Sequence, residues 1–232
     1  MRPFPKVEQT YLSTFVKNLL SISGEKKSDF LIIEHSRNRQ GDSFDPKIKG
    51  IMRSINKVYS LFREHLTLSN FSVRDIDSLA GFISTAYLNK DKEKFEADLI
   101  KPANQRTLNE LVPTGCLSMG PVPAFLDEWL VKLKKLDENG DEEEKAAFAW
   151  FTPYRFVFSA PYQIRNFELG LIIFLYLRMH WEMPFFMYGL TRGEVWLNLN
   201  EYSKFWIKNG LWSDPDFPPL HKDKQDSLVG TE

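Results

Sequence analysis

The sequence predicts an all-α protein of two lobes, with about eight to ten helices and at most one short pair of strands. Apolar residues recur at helical spacing along most of the 232-residue chain. The apolar fraction of 43% and the charged fraction of 26% are those of a folded soluble domain. One stretch interrupts the helical pattern, "VPTGCLSMGPVP" at 112–123, which holds three Pro and two Gly in twelve residues.

The interruption divides the chain into four predicted parts. Residues 1–112 form an N-terminal helical lobe, basic at first and acidic later, and 113–123 form the connection. Residues 124–215 form a C-terminal lobe that contains all six Trp, and 216–232 form a loose polar tail.

The N-terminal part of the chain contains two clear amphipathic patterns. Apolar residues spaced from Tyr11 to Leu20 predict a helix that Ser23-Gly24 can end. The short run "FLII" at 30–33 is compatible with a strand. Asp45 as N-cap and Pro46 at the first helical position predict the start of a second helix. Its expected core face consists of Ile48, Ile51, Met52, Ile55, Val58, Tyr59 and Phe62.

A variant of the capping box, Ser72-x-x-Asp75, predicts the start of the next amphipathic helix. A charged helix is expected at 91–100 and a short one at 104–112. Beyond the connection, apolar residues from Phe125 to Leu133 predict another helix.

The most apolar part of the chain is "FELGLIIFLYLRMHWEMPFF" at 167–186. Its unbroken apolar run, 169–177, is nine residues long, whereas a bilayer span needs about 20. The stretch therefore predicts a central core helix. Before it, the acidic "DENGDEEE" at 137–144 predicts a turn into a helix that should end before Pro153.

The sequence does not indicate a catalytic residue, a metal site or a cofactor. The four His are far apart in sequence, and the one Cys, Cys116, cannot form a thiolate cluster. "DENGDEEEKAAF" at 137–148 fails as a calcium loop because its sixth position is Glu142 and its twelfth is Phe148. No phosphate-binding glycine loop is present in the sequence. An enzyme would need side chains distant in sequence to converge.

The expected compartment is the cytoplasm, without membrane contact. A single Cys excludes an internal disulfide framework and fits a reducing environment. The first residues, "MRPFPKVEQTYLSTF", lack the apolar run of a secretion signal.

The charge distribution gives the one pointer to function. Residues 1–74 contain 13 Lys and Arg against 7 Asp and Glu, whereas 75–150 contain 9 against 15. On the helix from Pro46, Lys49, Arg53 and Lys57 recur every four residues on the face opposite the apolar one, and we call these three cations the basic strip. No acidic residue occurs between Asp45 and Glu64.

Other cations extend this candidate surface for nucleic-acid phosphates. Neutral side chains expected to add contacts are Asn38, Gln40, Ser54 and Asn56. In the later lobe, exposure is also expected for Tyr154, Arg155 and Arg165, which lie in polar breaks between apolar runs. The cations predicted to bind phosphates, besides the basic strip, are Arg37, Arg39, Arg63, Arg155 and Arg165.

Three functions stay open on the sequence alone. The first is a non-enzymatic protein that binds nucleic acid, with RNA favoured, through the basic strip, and that self-associates into a nucleoprotein. The second is a helical adaptor that binds another protein, for instance an acidic surface. The third is an enzyme whose site is not visible in sequence. A pI near 6.5 and the acidic region at 75–150, which can neutralise the basic strip, weigh against the first.

Overall fold

The computed structural model describes residues 9–22, 46–65, 67–88, 122–159, 161–162 and 165–183. Over these residues every regular element is helical, which confirms the all-α prediction there. Six α-helices lie in the described ranges, fewer than predicted for the whole chain. They are α1 (Gln9–Ile22), α2 (Pro46–Glu64), α3 (Val73–Leu88), α4 (Val122–Asn139), α5 (Glu142–Ser159) and α6 (Asn166–His180), with a 3-10 turn at Leu68–Asn70 between α2 and α3.

Helix α6 is the centre of the core. All of its residues are buried, from Asn166 to His180, because its apolar side chains point in every direction around the axis. It packs against α5, α2 and α3. The prediction of a core helix for the most apolar stretch is thereby confirmed.

A cluster of aromatic rings joins α4 and α5 to the residues before α3. Trp129 of α4 is fully buried, and its ring contacts those of Phe71, Phe148 and Phe156, with centroids 6.3, 5.3 and 5.6 Å away. Such edge and offset contacts between rings stabilise a core beyond their buried area. One apolar core thus contains residues from before and after the predicted connection. The connection itself lies almost wholly outside the described residues, and the division into two lobes stays a prediction.

Two helix starts follow the sequence closely. Helix α2 begins at Pro46, whose fixed φ suits the first helical position. At the start of α3 the carboxylate of Asp75 accepts hydrogen bonds from the backbone N–H of Ser72 (3.0 Å) and from its hydroxyl (2.7 Å). The predicted capping pair is therefore formed.

Helix α5 departs from the prediction, since it runs through Pro153 and ends at Ser159. A proline inside a helix removes one backbone hydrogen bond. Phe151 and Phe156 on either side of it are buried, and this burial offsets the lost bond. Gly170 of α6 lies against the proline: a Cβ at position 170 would be 3.0 Å from the nitrogen of Pro153 and closer still to its Cα. Tertiary packing of two helices therefore overrides the local preference.

The carboxylate of Asp137 accepts hydrogen bonds from both the segment that follows α2 and the segment that follows α6. Asp137 of α4 accepts a hydrogen bond from the indole N–H of Trp181 at 2.9 Å, and another from the backbone N–H of Leu68 at 3.3 Å. Trp181 follows α6 directly and Leu68 begins the 3-10 turn after α2. The ends of the two helices are thus held by the same side chain.

Candidate nucleic-acid interface

Helix α2 has a buried face and a charged face. The buried face packs against α1, α3 and α6, and its apolar residues are distributed along nearly the whole helix. The exposed residues and the three cations of the basic strip occupy roughly a third of the circumference, at about 100° per residue. The buried apolar residues of α2 are Ile48, Ile51, Met52, Ile55, Val58, Leu61 and Phe62.

The basic strip lies on the charged face. Arg53 is exposed, and Lys49 and Lys57 are half-buried. Half-buried lysines commonly pack their aliphatic stems against apolar surface and keep the ammonium group in water. Among the described residues, no carboxylate forms an ion pair with Lys49 or Arg53. The rise between successive members is about 6 Å along the helix axis.

Glu64 is the one carboxylate on α2 and lies at its C-terminal end. The hydroxyl of Ser60 donates a hydrogen bond to its Oε1 at 2.6 Å. This bond, with smaller contributions from Lys57 and His65, holds the pKa of Glu64 below its ordinary value, although partial desolvation opposes the shift. Glu64 is therefore negatively charged at neutral pH, and it reduces the positive field at the Lys57 end of the basic strip.

The other residues predicted to contact phosphates differ in whether the structure describes them and in how exposed they are. Arg63 is exposed at the last turn of α2, as expected. Arg37 and Arg39 lie outside the described residues, as do Asn38 and Gln40. Asn56 is exposed. Ser54 is buried, and its hydroxyl donates to the carbonyl of Gly50 at 3.0 Å, so the prediction of a phosphate contact for Ser54 is wrong.

Arg155 and Tyr154 were expected at the surface and are buried instead. The guanidinium of Arg155 lies over the ring of Phe148, 5.2 Å from its centroid, in the core of α5. A side chain only 1% exposed does not reach a phosphate outside the protein. The expectation that Arg155 is exposed is therefore wrong, because α5 is buried on all sides over residues 151–157.

Arg165 is half-buried at the residue before α6. Its guanidinium pairs with the buried carboxylate of Glu168 at 3.0 Å. Its backbone adopts the left-handed conformation, with φ of 62°. Arg165 thus has a structural role at the start of α6, where it pairs with Glu168.

The acidic turn, residues 141–144, comprises the residue before α5 and the first turn of α5, and all four residues are exposed. The backbone N–H of Glu144 donates to Oδ1 of Asp141 at 2.8 Å, and the N–H of Asp141 donates to Oε2 of Glu144 at 3.2 Å. These reciprocal bonds form a capping box at the start of α5, which gives Asp141 and Glu144 a structural role. In the parts of the chain that the structure describes, no group of three or more His, Cys, Asp or Glu could hold a metal ion.

The structure places two histidines that are far apart in sequence, His65 and His180, against the same residue, Tyr176. Nδ1 of His65 lies 3.1 Å from the hydroxyl of Tyr176, and the ring of Tyr176 meets that of His180 at a centroid distance of 4.6 Å. His180 also meets the edge of Phe62 at 5.1 Å. These rings connect the end of α2 to α6. No sequence signal could have paired them, since their approach depends on helix packing.

No described helix has both the length and the apolar composition that crossing a bilayer requires. Comparison of the sequence and structure with protein-family models, with curated proteins and with solved structures found no match.

Proposed function

We propose that this protein is a non-enzymatic binding protein that holds nucleic acid, RNA in the first place, through the phosphates of its backbone. The observation that carries the proposal is the basic strip on α2, where Lys49 and Arg53 have no carboxylate partner among the described residues. A row of cations with only one carboxylate, Glu64, on the same helix attracts a polyanion. Arg63 adds a further exposed cation at the end of the same helix.

The physics of such a contact is counterion release. Each Lys or Arg that neutralises a phosphate frees condensed cations, so affinity falls steeply as the salt concentration rises. The buried face of α2 supports this role, because the core holds the helix in place and the cations need no folding step before they bind.

The test is charge reversal on the basic strip in the full-length chain. Lys49→Glu combined with Arg53→Glu should lower the affinity for a labelled single-stranded RNA at least tenfold, measured by fluorescence anisotropy at low salt. The matched control is Lys134→Glu with Lys135→Glu on α4, since these two lysines are likewise one half-buried and one exposed. The control carries the same change of net charge and should retain most of the affinity.

Equal losses in the two double variants would show that only net charge matters and would overturn the proposal. No binding of RNA by the unaltered protein would overturn it as well. Circular dichroism of each variant should show unchanged helix content, because each double variant replaces one exposed and one half-buried residue and leaves the buried core residues unchanged.

A second candidate function is assembly with an acidic protein surface or with a further copy of the chain. The acidic turn favours it, since its four carboxylates are exposed and the basic strip of another molecule has opposite charge. Gel filtration of nuclease-treated protein at low and high salt tests this candidate. An assembly that is free of nucleic acid and dissociates at high salt supports it, and a monomer at both salt concentrations contradicts it.

A further inference from the structure

We infer that the surface of α2 binds the backbone of a nucleic-acid strand without regard to its base sequence. This inference rests on the proposed function and specifies what the basic strip recognises. Three features of α2 carry it: the small exposed arc of the helix, the position of its aromatic rings and the spacing of its cations.

The exposed arc of α2 is too small for a helix that reads base edges in a groove. A recognition helix, about 10–12 Å wide with its side chains, enters a major groove about 12 Å wide and about 8.5 Å deep. It must therefore project from its protein. Helix α2 instead packs against α1, α3 and α6 and exposes only roughly a third of its circumference. Its neighbours would meet the sugar-phosphate walls before its side chains reached the bases.

The aromatic rings of α2 do not offer a stacking surface either. Sequence-specific recognition of single strands depends on bases that stack on aromatic side chains. Phe62 is buried, and Tyr59 is half-buried and packed against the core. Of the described residues, the one large apolar side chain that is strongly exposed is Val131 of α4, which has no ring. The charged face of α2 thus presents cations, short polar groups and, at its C-terminal end, Glu64, without an exposed aromatic ring.

The spacing of the cations suits phosphates in a row. Lys49, Arg53 and Lys57 succeed one another at a rise of about 6 Å. One strand of a duplex carries a phosphate about every 3.4 Å of axis, so a strand that follows α2 presents more phosphates than the strip has cations. The number of contacts is therefore set by the protein. Each cation of the strip that contacts a phosphate should contribute to the salt dependence, whatever the bases.

The experiment compares two unrelated single-stranded RNAs of equal length and low secondary structure, titrated with the full-length protein between about 50 and 200 mM salt. We expect dissociation constants within about twofold of each other at every salt concentration. Lys49→Ala and Arg53→Ala should each lower the slope of log affinity against log salt by about 0.7, for both RNAs alike. Lys135→Ala on α4 is the control and should leave the slope unchanged.

The outcomes separate the inference from the proposed function. A preference of tenfold or more for one RNA that depends on Arg53 would overturn the inference alone, since the strip would then read bases. A slope unchanged by either alanine substitution, with binding intact, would overturn both. Equal affinities with equal reductions of slope support both.

Discussion

Helices α2 and α6 pack against each other but differ in how much of their surface they bury. Every residue of α6 is buried, including the polar residues Asn166, Glu168 and Arg178. Helix α2 buries one face and leaves Arg53, Asn56 and Arg63 exposed on the other. The residues of α6 therefore determine stability, whereas the outer residues of α2 can change without unfolding the protein.

The largest expected difference between the two helices is in the free energy of unfolding. Phe174→Ala in α6 should lower it by about 3–5 kcal/mol, since a fully buried ring is removed and the close-packed core collapses only partly around the cavity. Arg53→Ala in α2 should change it by no more than about 0.5 kcal/mol. Urea denaturation followed by circular dichroism measures both. Similar losses at the two positions would contradict the contrast between the helices.

A smaller effect is expected where α6 meets α5. Gly170→Ala should lower the free energy of unfolding by about 1–3 kcal/mol, because the added methyl group collides with the backbone of Pro153, which cannot rotate away. Gly81→Ala in α3 is the control, since a Cβ there meets nothing within 4 Å. It should raise the free energy of unfolding by about 0.5–1 kcal/mol through helix propensity alone. If Gly170→Ala were also stabilising, the close approach of α5 and α6 would be refuted.

The same contrast explains what the sequence could predict. The spacing of apolar residues predicted the buried and exposed faces of α2. Pro46 predicted the start of α2, and Ser72 predicted the start of α3. These signals act within one or two helical turns, so they can be recognised in the sequence. The core position of α6 followed from its unbroken apolar run. Local signals also sufficed for the exposure of Arg53.

The features that the sequence did not predict correctly depend on tertiary packing. Pro153 should have ended α5, but the facing Gly170 lets the two helices approach and bury the continuation. Arg155 is a charged residue in an apolar segment, and its burial over the ring of Phe148 depends on the surrounding helices. The pairing of His65 with Tyr176 joins residues more than a hundred positions apart. No periodicity within a single segment carries information of that kind.

The smallest expected effect concerns the negative end of α2. Ser60→Ala should raise the pKa of Glu64 toward its ordinary value, since the hydrogen bond from Ser60 is the largest cause of the lowered pKa. Lys57→Ala should raise it less, because the charge of Lys57 is a smaller contribution. Titration of the Glu64 carboxyl carbon by NMR measures both changes. A larger rise for Lys57→Ala would show that charge, and not the hydrogen bond, lowers the pKa.

The sign of the accompanying stability change follows from linkage. A carboxyl group whose pKa is lower in the folded state stabilises that state above the pKa of the unfolded chain, and the stabilisation is lost as the pH falls through the folded pKa. Ser60→Ala should therefore lower the free energy of unfolding slightly at neutral pH, and the difference from the unaltered protein should disappear as the pH falls below the folded pKa of Glu64. Because Glu64 is exposed, solvent screens the contribution and the difference should be small. At neutral pH Glu64 stays ionised in both proteins, so RNA affinity there should not depend on Ser60. Glu64→Gln should raise the RNA affinity, because it removes a negative charge that interacts with Lys57.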